Sequence, residues 1–351
     1  MKSLKSLKRS LRFVLNYFDI NIFMALAVKY KFFSKLYYFI YNNQFDREQQ
    51  AVLAGKLAYI KSSEGTLSLS AALRRNIHRI EKGLISNNPK PVFAEDYIQE
   101  TVDIFCKIIK LDAEKDTLKW ANDVLSEYFK KVQKTKKIHN AEQIFRQEAE
   151  TFKYRTSECW IPYKHKDGVR SYINYPDFLM LCQQRRSVRY YTKEKVQISS
   201  IQKAIEAAAL SPSACNRQPF RFVIINEAPL LEKISKLPRG ADSFAENIPL
   251  LTIIIGDLSA YFDERDRHII YIDGGLAAMN YMMALETLGL SSCPINWPDI
   301  EELEVKLAKF LKLKKYERAL MFISVGYALE EGKIPYSKKR SFENITLINP
   351  I

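Results

Sequence analysis

What is scarce in this 351-residue chain narrows its chemistry first. Eleven glycines and thirteen prolines, against a hydrophobic fraction of 47%, exclude collagen-like, low-complexity and disordered classes. Five cysteines (Cys106, Cys159, Cys182, Cys215, Cys293) are odd in number, far apart and without a CxxC pair. That pattern fits reduced thiols in a cytosolic compartment rather than a disulfide framework. The four histidines (His78, His139, His165, His268) never fall at ligand spacing, so no metal site is expected. Walker P-loop, GxGxxG and GxSxG patterns are missing, which removes the usual glycine-based phosphate cradles and the hydrolase elbow. Near the start, the uncharged apolar run Ile20–Val28 has nine residues, where a bilayer span needs about 20. No small-residue cleavage pattern follows it, so neither a membrane span nor secretion is expected.

Positive charge, by contrast, is plentiful: 54 Lys and Arg against 40 Asp and Glu give a net charge of +14. Half of that excess lies in residues 1–45, where eight basic groups face Asp19 alone. Leu4, Leu7, Leu11, Leu15, Phe18 and Ile22 recur at helical steps, with Lys5, Lys8, Arg9 and Arg12 largely opposite. Tyr30, Phe32, Phe33, Tyr37, Tyr38, Phe39 and Tyr41 then alternate with lysines. Two readings follow: a helix packing its apolar stripe on the rest of the protein, or one lying in an anionic membrane interface. The basic residues are interspersed rather than clustered and form no recognised binding motif, so nucleic acid is not expected as a partner.

Along the chain, residues 1–160 read as helical, 161–175 as a linker and 176–351 as a different, mixed region. Helical periodicity marks Leu67–Leu84, Phe93–Trp120, Ala121–Lys137 and Glu142–Phe152, with a loop at Ser86–Pro91. His78 and Glu81, at i and i+3, suit either a surface pair or part of a second site. Beyond 176, helices are expected at Pro176–Arg186, Ser199–Leu210 and Asp266–Leu290, the last apolar almost all round. Short apolar runs at Phe220–Ile225, Leu250–Ile255 and Met321–Tyr327 read as strands. Strands separated by helices make this region an α+β or α/β layer fold, preceded by an all-helical one. Gly274-Gly275 falls inside the long helix and reads as a close-packing site.

Three segments carry chemistry. Arg185-Arg186-Ser187-Val188-Arg189 closes a helix and offers planar, bidentate donors suited to phosphate or a polar ring edge. Ser211–Phe220 (SPSACNRQPF) is a rigid polar turn of the kind that recognises flat heteroaromatic ligands. Lys338-Lys339-Arg340 follows the last strand as a second anion site.

RRSVR, SPSACNRQPF, NYMMALETLGLSSCPINW, and SVGY followed by KKR and NIT occur in that order over residues 176–348. Together they resemble the nitroreductase family of FMN-dependent flavoproteins. The resemblance implies an α+β, nitroreductase-like sheet flanked by helices, an FMN cofactor, NAD(P)H as electron donor, and a homodimer. It assigns flavin contacts to Arg185, Arg186, Ser187 and Arg189. Asn216, flanked by Ser213 and Gln218, would reach the flavin of the partner subunit; Pro294, Ile295 and Asn296 would lie against the isoalloxazine. Lys338 and Arg340 would hold its phosphate. No catalytic side chain is implied, because the flavin is the reactive group.

The chain departs from the family pattern twice. Asn296-Trp297 stands where members often have Glu-Gly beside the flavin, so altered charge and less room for substrate are expected. Only Asp257–Arg267 separates a strand from the long helix, where members that reduce nitroaromatics often insert a lid. Specificity would then come from elsewhere, such as the helical region. The expected activity is ping-pong hydride transfer from NAD(P)H through flavin to a small-molecule acceptor. The alternative is a non-catalytic or specialised flavoprotein docking through its helical region to a membrane or protein partner, as in cell-surface polysaccharide or lipid-linked biosynthesis. The expected location is cytoplasmic, with a peripheral membrane position left open.

Overall fold

A computed structural model describes residues 20–42, 44–61 and 66–349. Twelve helices and four strands run through these residues, with short 3-10 turns between them. The apolar stripe from Leu4 to Phe18 lies outside the described residues; Ile22 is its one member inside them.

The first two helices, α1 (Ile20–Lys29) and α2 (Lys31–Tyr41), form a hairpin. Phe23 is the buried pivot, with ring contacts of 6.0–6.3 Å to Phe33, Tyr37 and Tyr41. Helix α3 (Asp46–Ile60) leads to a helical cluster of α4 (Thr66–Leu84), α5 (Ile98–Lys110), α6 (Lys115–Lys131) and α7 (Lys136–Ala149). Their apolar stripes close one core. Leu69, Leu73, Ile77 and Ile80 face Ile98, Val102, Phe105, Leu118, Leu125, Tyr128, Ile138 and Phe145.

The single helix expected over Phe93–Trp120 is two. Asp112 and Glu114 take left-handed backbone (φ 48° and 53°) and break it, after which α6 runs straight through the expected junction at 120/121. Its end falls at Val132, where the backbone becomes extended, and Thr135 caps α7 by accepting from Ile138 N at 3.3 Å.

The second half holds α8 (Tyr175–Gln184), α9 (Ile198–Ala209), β1 (Phe220–Ile225), α10 (Leu230–Ser235), β2 (Leu250–Asp257), α11 (Ile269–Thr287), β3 (Ser291–Ile295), α12 (Glu301–Leu311) and β4 (Glu317–Gly326). The strands form one antiparallel sheet in the order β1-β2-β4-β3. The architecture is α+β. Every residue of β2 is buried, as a continuous apolar run requires when both faces are covered. Helix α11 covers one face, where Tyr281 Oη and Thr252 Oγ1 lie 2.8 Å apart. An ideal Cβ on Gly274 would stand 2.5 Å from Leu320 Cδ1, so this glycine permits the helix–sheet approach, whereas a Cβ on Gly275 meets nothing within 4 Å.

The helical half is seated on the sheet half. An ideal Cβ on Gly55 of α3 would lie 2.7 Å from Leu258, in the short turn after β2. Arg47 pairs with Glu301 at 2.5 Å, and Lys56 with Glu264 at 2.9 Å. Exposed pairs of this kind contribute little energy, so the packing of small residues carries the contact.

Candidate active site

Helix α8 ends at Arg185, whose backbone leaves the helical region and turns the RRSVR segment along β3. Ser187 bridges Ser292 in parallel, and Val188 N donates to Ser292 O at 3.0 Å. Tyr191, fully inside, donates from Oη to Val188 O at 2.6 Å and reaches Ser324 Oγ at 2.7 Å, locking the segment onto β4. In this corner Arg185 Nε and Ser292 Oγ are buried without a hydrogen-bond partner. Burial pushes the Cys293 thiol up, opposed by Arg189, a hydrogen bond from Ser187, and Arg185. Two guanidiniums and a hydroxyl therefore lie near Cys293 of β3.

Pro294 and Ile295 close β3, and Asn296 follows it exposed. The C-terminal arm meets the same corner, since Arg186 Nη2 donates to Pro335 O at 2.7 Å and to Tyr336 O. Arg186 thus ties its Nη2 to backbone carbonyls of the arm. Lys338 is exposed on that arm, and Arg340 donates to Asn344 O. RRSVR and β3 therefore come together, and the arm that carries Lys338 and Arg340 joins them at Pro335 and Tyr336.

The fourth sits elsewhere in this chain. Ser211–Phe220 leans on α11, where Ala214 N donates to Asp273 Oδ2 at 3.0 Å and Asn280 Nδ2 to Ser211 Oγ at 2.8 Å. Gln218 N donates to Ser213 Oγ at 3.0 Å, and Gln218 Nε2 to Ala209 O at 3.2 Å. Cys215, Asn216 and Gln218 all carry positive φ, between 50° and 55°, a strained conformation that surrounding bonds must hold. No hydrogen bond or ion pair among the described residues joins this loop to RRSVR.

One holding bond could not be read from the sequence: Arg74 of α4 donates from Nε to Asn216 O at 2.7 Å and from Nη1 to Thr117 Oγ1 at 2.9 Å. A basic residue on an amphipathic helix carries no signal for a loop 142 residues away. The His78–Glu81 pair is a packing pair rather than a second site. Its atoms are 3.8 Å apart, Glu81 accepts from Trp120 Nε1 at 2.9 Å, and burial lowers the His78 pKa.

Trp297 corrects an expectation. Its ring does not crowd a substrate; it turns into the core, stacks on Phe322 at 4.7 Å and donates from Nε1 to Glu304 Oε1 at 2.7 Å. The short connection after β2 is covered by α3 and α4 instead of by a lid of its own. Among the described residues no group of three or more His, Cys, Asp or Glu side chains is placed to hold a metal, and no helix is long and apolar enough to cross a membrane.

Residues 182–242 and 232–327 match the model of the nitroreductase family. Iodotyrosine deiodinase 1 of Sus scrofa is 25% identical over 214 residues, covering 52% of this chain and 71% of its own. A Bacillus subtilis protein provisionally named an NAD(P)H nitroreductase is 27% identical over 198 residues, 46% of this chain and 92% of its own. Among solved structures, an FMN-dependent nitroreductase from Clostridium difficile R20291 aligns at 24% identity over 49% of this chain and 99% of its own, with a TM-score of 0.43. Each of these similarities leaves about half of the chain unmatched.

Proposed function

Residues 182–327 form a nitroreductase-family region, and on that premise we propose that the protein is an FMN-dependent oxidoreductase, drawing electrons from NAD(P)H and passing them to a small-molecule acceptor. The observation that carries this reading is the corner where RRSVR, β3 and the 335–340 arm meet, with Arg185 Nε and Ser292 Oγ buried and unpartnered. Buried polar groups are normally satisfied, so groups left open beside guanidiniums suit a polar, anionic ring system. FMN, when bound, supplies the two-electron exchange that takes from the donor and gives to the acceptor in ping-pong order. Arg185 and Arg189 hold negative charge at the ring edge, and fixed cations there favour the reduced form. Lys338 and Arg340 meet the phosphate, while Ser187 and the Pro294–Asn296 strand end position the ring.

Asn216, Ser213 and Gln218 then serve the site of a second copy, which makes the working unit a homodimer. The segment before α8 and the C-terminal arm support that reading, because they expose Val169, Tyr172, Ile173, Tyr336 and Leu347 without intrachain cover. Our reading divides the chain at 161–175 into a helical region and a flavin region, places it in a reducing, cytoplasmic compartment, and gives α3 and α4 the task of shaping acceptor specificity. The test is the absorption spectrum of the purified protein before and after anaerobic NAD(P)H. A yellow protein that bleaches is expected. A colourless protein that refuses added FMN overturns the reading, and a yellow one that stays oxidised favours a non-catalytic flavoprotein.

The hairpin supports a second, compatible reading: docking to an anionic membrane surface. Residues 20–42 contain Lys29, Lys31 and Lys35 and no acid, and they expose Ile22, Val28 (91%) and Phe32. Apolar burial plus charge attraction is how interfacial helices bind. Vesicles with anionic lipid should sediment the protein and neutral ones should not, with Val28→Asp/Phe32→Asp abolishing the difference. Binding unchanged in that variant sinks the idea.

A further inference from the structure

We propose that the seam between α4 and the sheet is a binding site for a small oxyanion, a carboxylate or phosphate group, gripped by Arg217 with Arg74. The seam encloses a cavity of about 190 Å³, walled by Ser70 and Arg74 of α4, Glu114 at the head of α6, Arg217, and Asp257 and Ser259 at the end of β2. That is room for several waters, a phosphate or a short carboxylic acid.

Arg217 is the anomaly that needs an occupant. It is only 7% exposed, and its Nε is sealed from solvent without a partner. Among the described residues no hydrogen bond or ion pair engages its guanidinium, which lies over the Tyr261 ring at 4.9 Å. Tyr261 Oη is itself buried and unpartnered. The buried Asp273 lies within its field but makes no direct pair with it, and a buried cation without a direct partner is costly.

The other charges around the cavity are already engaged. Arg221 pairs with Glu317. Glu114 accepts from Thr117 Oγ1 at 3.1 Å, and Asp273 is taken up by Ala214 N. Asp257 accepts from Ser259 N and Oγ at 2.8 and 2.6 Å, and burial pushes its pKa up. Arg74 uses Nε and Nη1 on the protein, leaving Nη2 uncommitted. The open donors are therefore cationic, Arg217 and Arg74 outweigh acids that are held by neighbouring donors, and the ligand that fits two guanidiniums is an anion with two or more oxygens. The cavity lies away from the RRSVR corner but shares Arg74 and the 213–218 loop with the contact proposed to a second copy's flavin, so its test reads oxyanion binding rather than flavin.

The test is thermal unfolding and calorimetric titration of the full-length protein with inorganic phosphate, then malonate, at ionic strength fixed with chloride. A saturable stabilisation absent from chloride is expected, and the preferred titrant separates a phosphate from a carboxylate ligand. Arg217→Met should weaken binding at least tenfold, whereas the exposed Arg170→Gln should leave it unchanged. Ser70→Leu fills the cavity while keeping both arginines and should abolish saturation, so it decides the matter if Arg217→Met does not fold. No saturable effect in the parent protein, or full binding in folded Ser70→Leu, overturns the proposal.

Discussion

Arg74 on α4 and Asn216 in the polar loop are joined by a 2.7 Å hydrogen bond across 142 residues of sequence. The bond fixes a loop residue that the flavin reading assigns to a second copy's cofactor, in a stretch whose left-handed backbone would otherwise relax.

Arg74→Met should therefore loosen cofactor binding without touching a flavin contact. Hydrogen bonds from a charged donor contribute about 1.5–3 kcal/mol, so FMN affinity should fall about tenfold or more by fluorescence titration. Unchanged affinity in a folded variant would show that the loop holds itself.

Arg318 offers a stability test. It is 2% exposed, donates to Asp299, and lies 3.5 Å from Glu304, which also receives Trp297. Removing one partner of a buried charge set costs about 3–5 kcal/mol. Arg318→Met should lower the urea midpoint accordingly, and adding Glu304→Gln should recover part of the loss.

Gly55→Ala would push a methyl into Leu258 backbone atoms 2.7 Å away. Overpacking of this kind costs about 1–3 kcal/mol. The strain falls on the contact between α3 and the turn after β2, so limited proteolysis should cut residues 44–61 faster while the sheet stays resistant.

Asp257 sets a pH dependence. Burial raises its pKa above the ordinary 3.8, opposed by the bonds from Ser259. A raised carboxyl favours the protonated fold, so its stabilising contribution is complete below about pH 3.8 and is lost as pH rises through the folded value. Asp257→Asn keeps the acceptor for Ser259, and its stability relative to the parent should grow between about pH 4 and 7. A constant difference across that range would count against the shift.

Cysteine labelling checks burial directly. Burial lifts the Cys106 thiol to about 11, and Cys293 is buried and raised as well, whereas Cys159 is exposed. At pH 8 a thiol reagent should modify Cys159 at once and reach Cys106 and Cys293 only on unfolding.

Much of the sheet region was legible because its strands are continuous apolar runs and its long helix is apolar all round. β3 was not marked by that pattern, since SSCPI mixes serines with a proline, which strands tolerate at an edge. Helix α12 was missed because EELEVKLAKFL offers a narrow stripe after a proline-rich turn. The break at Asp112–Glu114 uses left-handed residues other than glycine, which leaves no compositional mark. The cofactor-like segments could be read from their order and chemistry. What they rest on could not, because Arg74 and Gly55 act through tertiary contacts that local pattern does not encode.

The helical cluster also has a bearing on biosynthesis. Its core closes between residues 69 and 145, so it can fold before the strands have left the ribosome. The loop at 214–218 and the turn at 258–260 emerge later and meet a finished surface. Variants that delay the cluster should accordingly yield protein that folds its sheet yet emerges poorly loaded with cofactor.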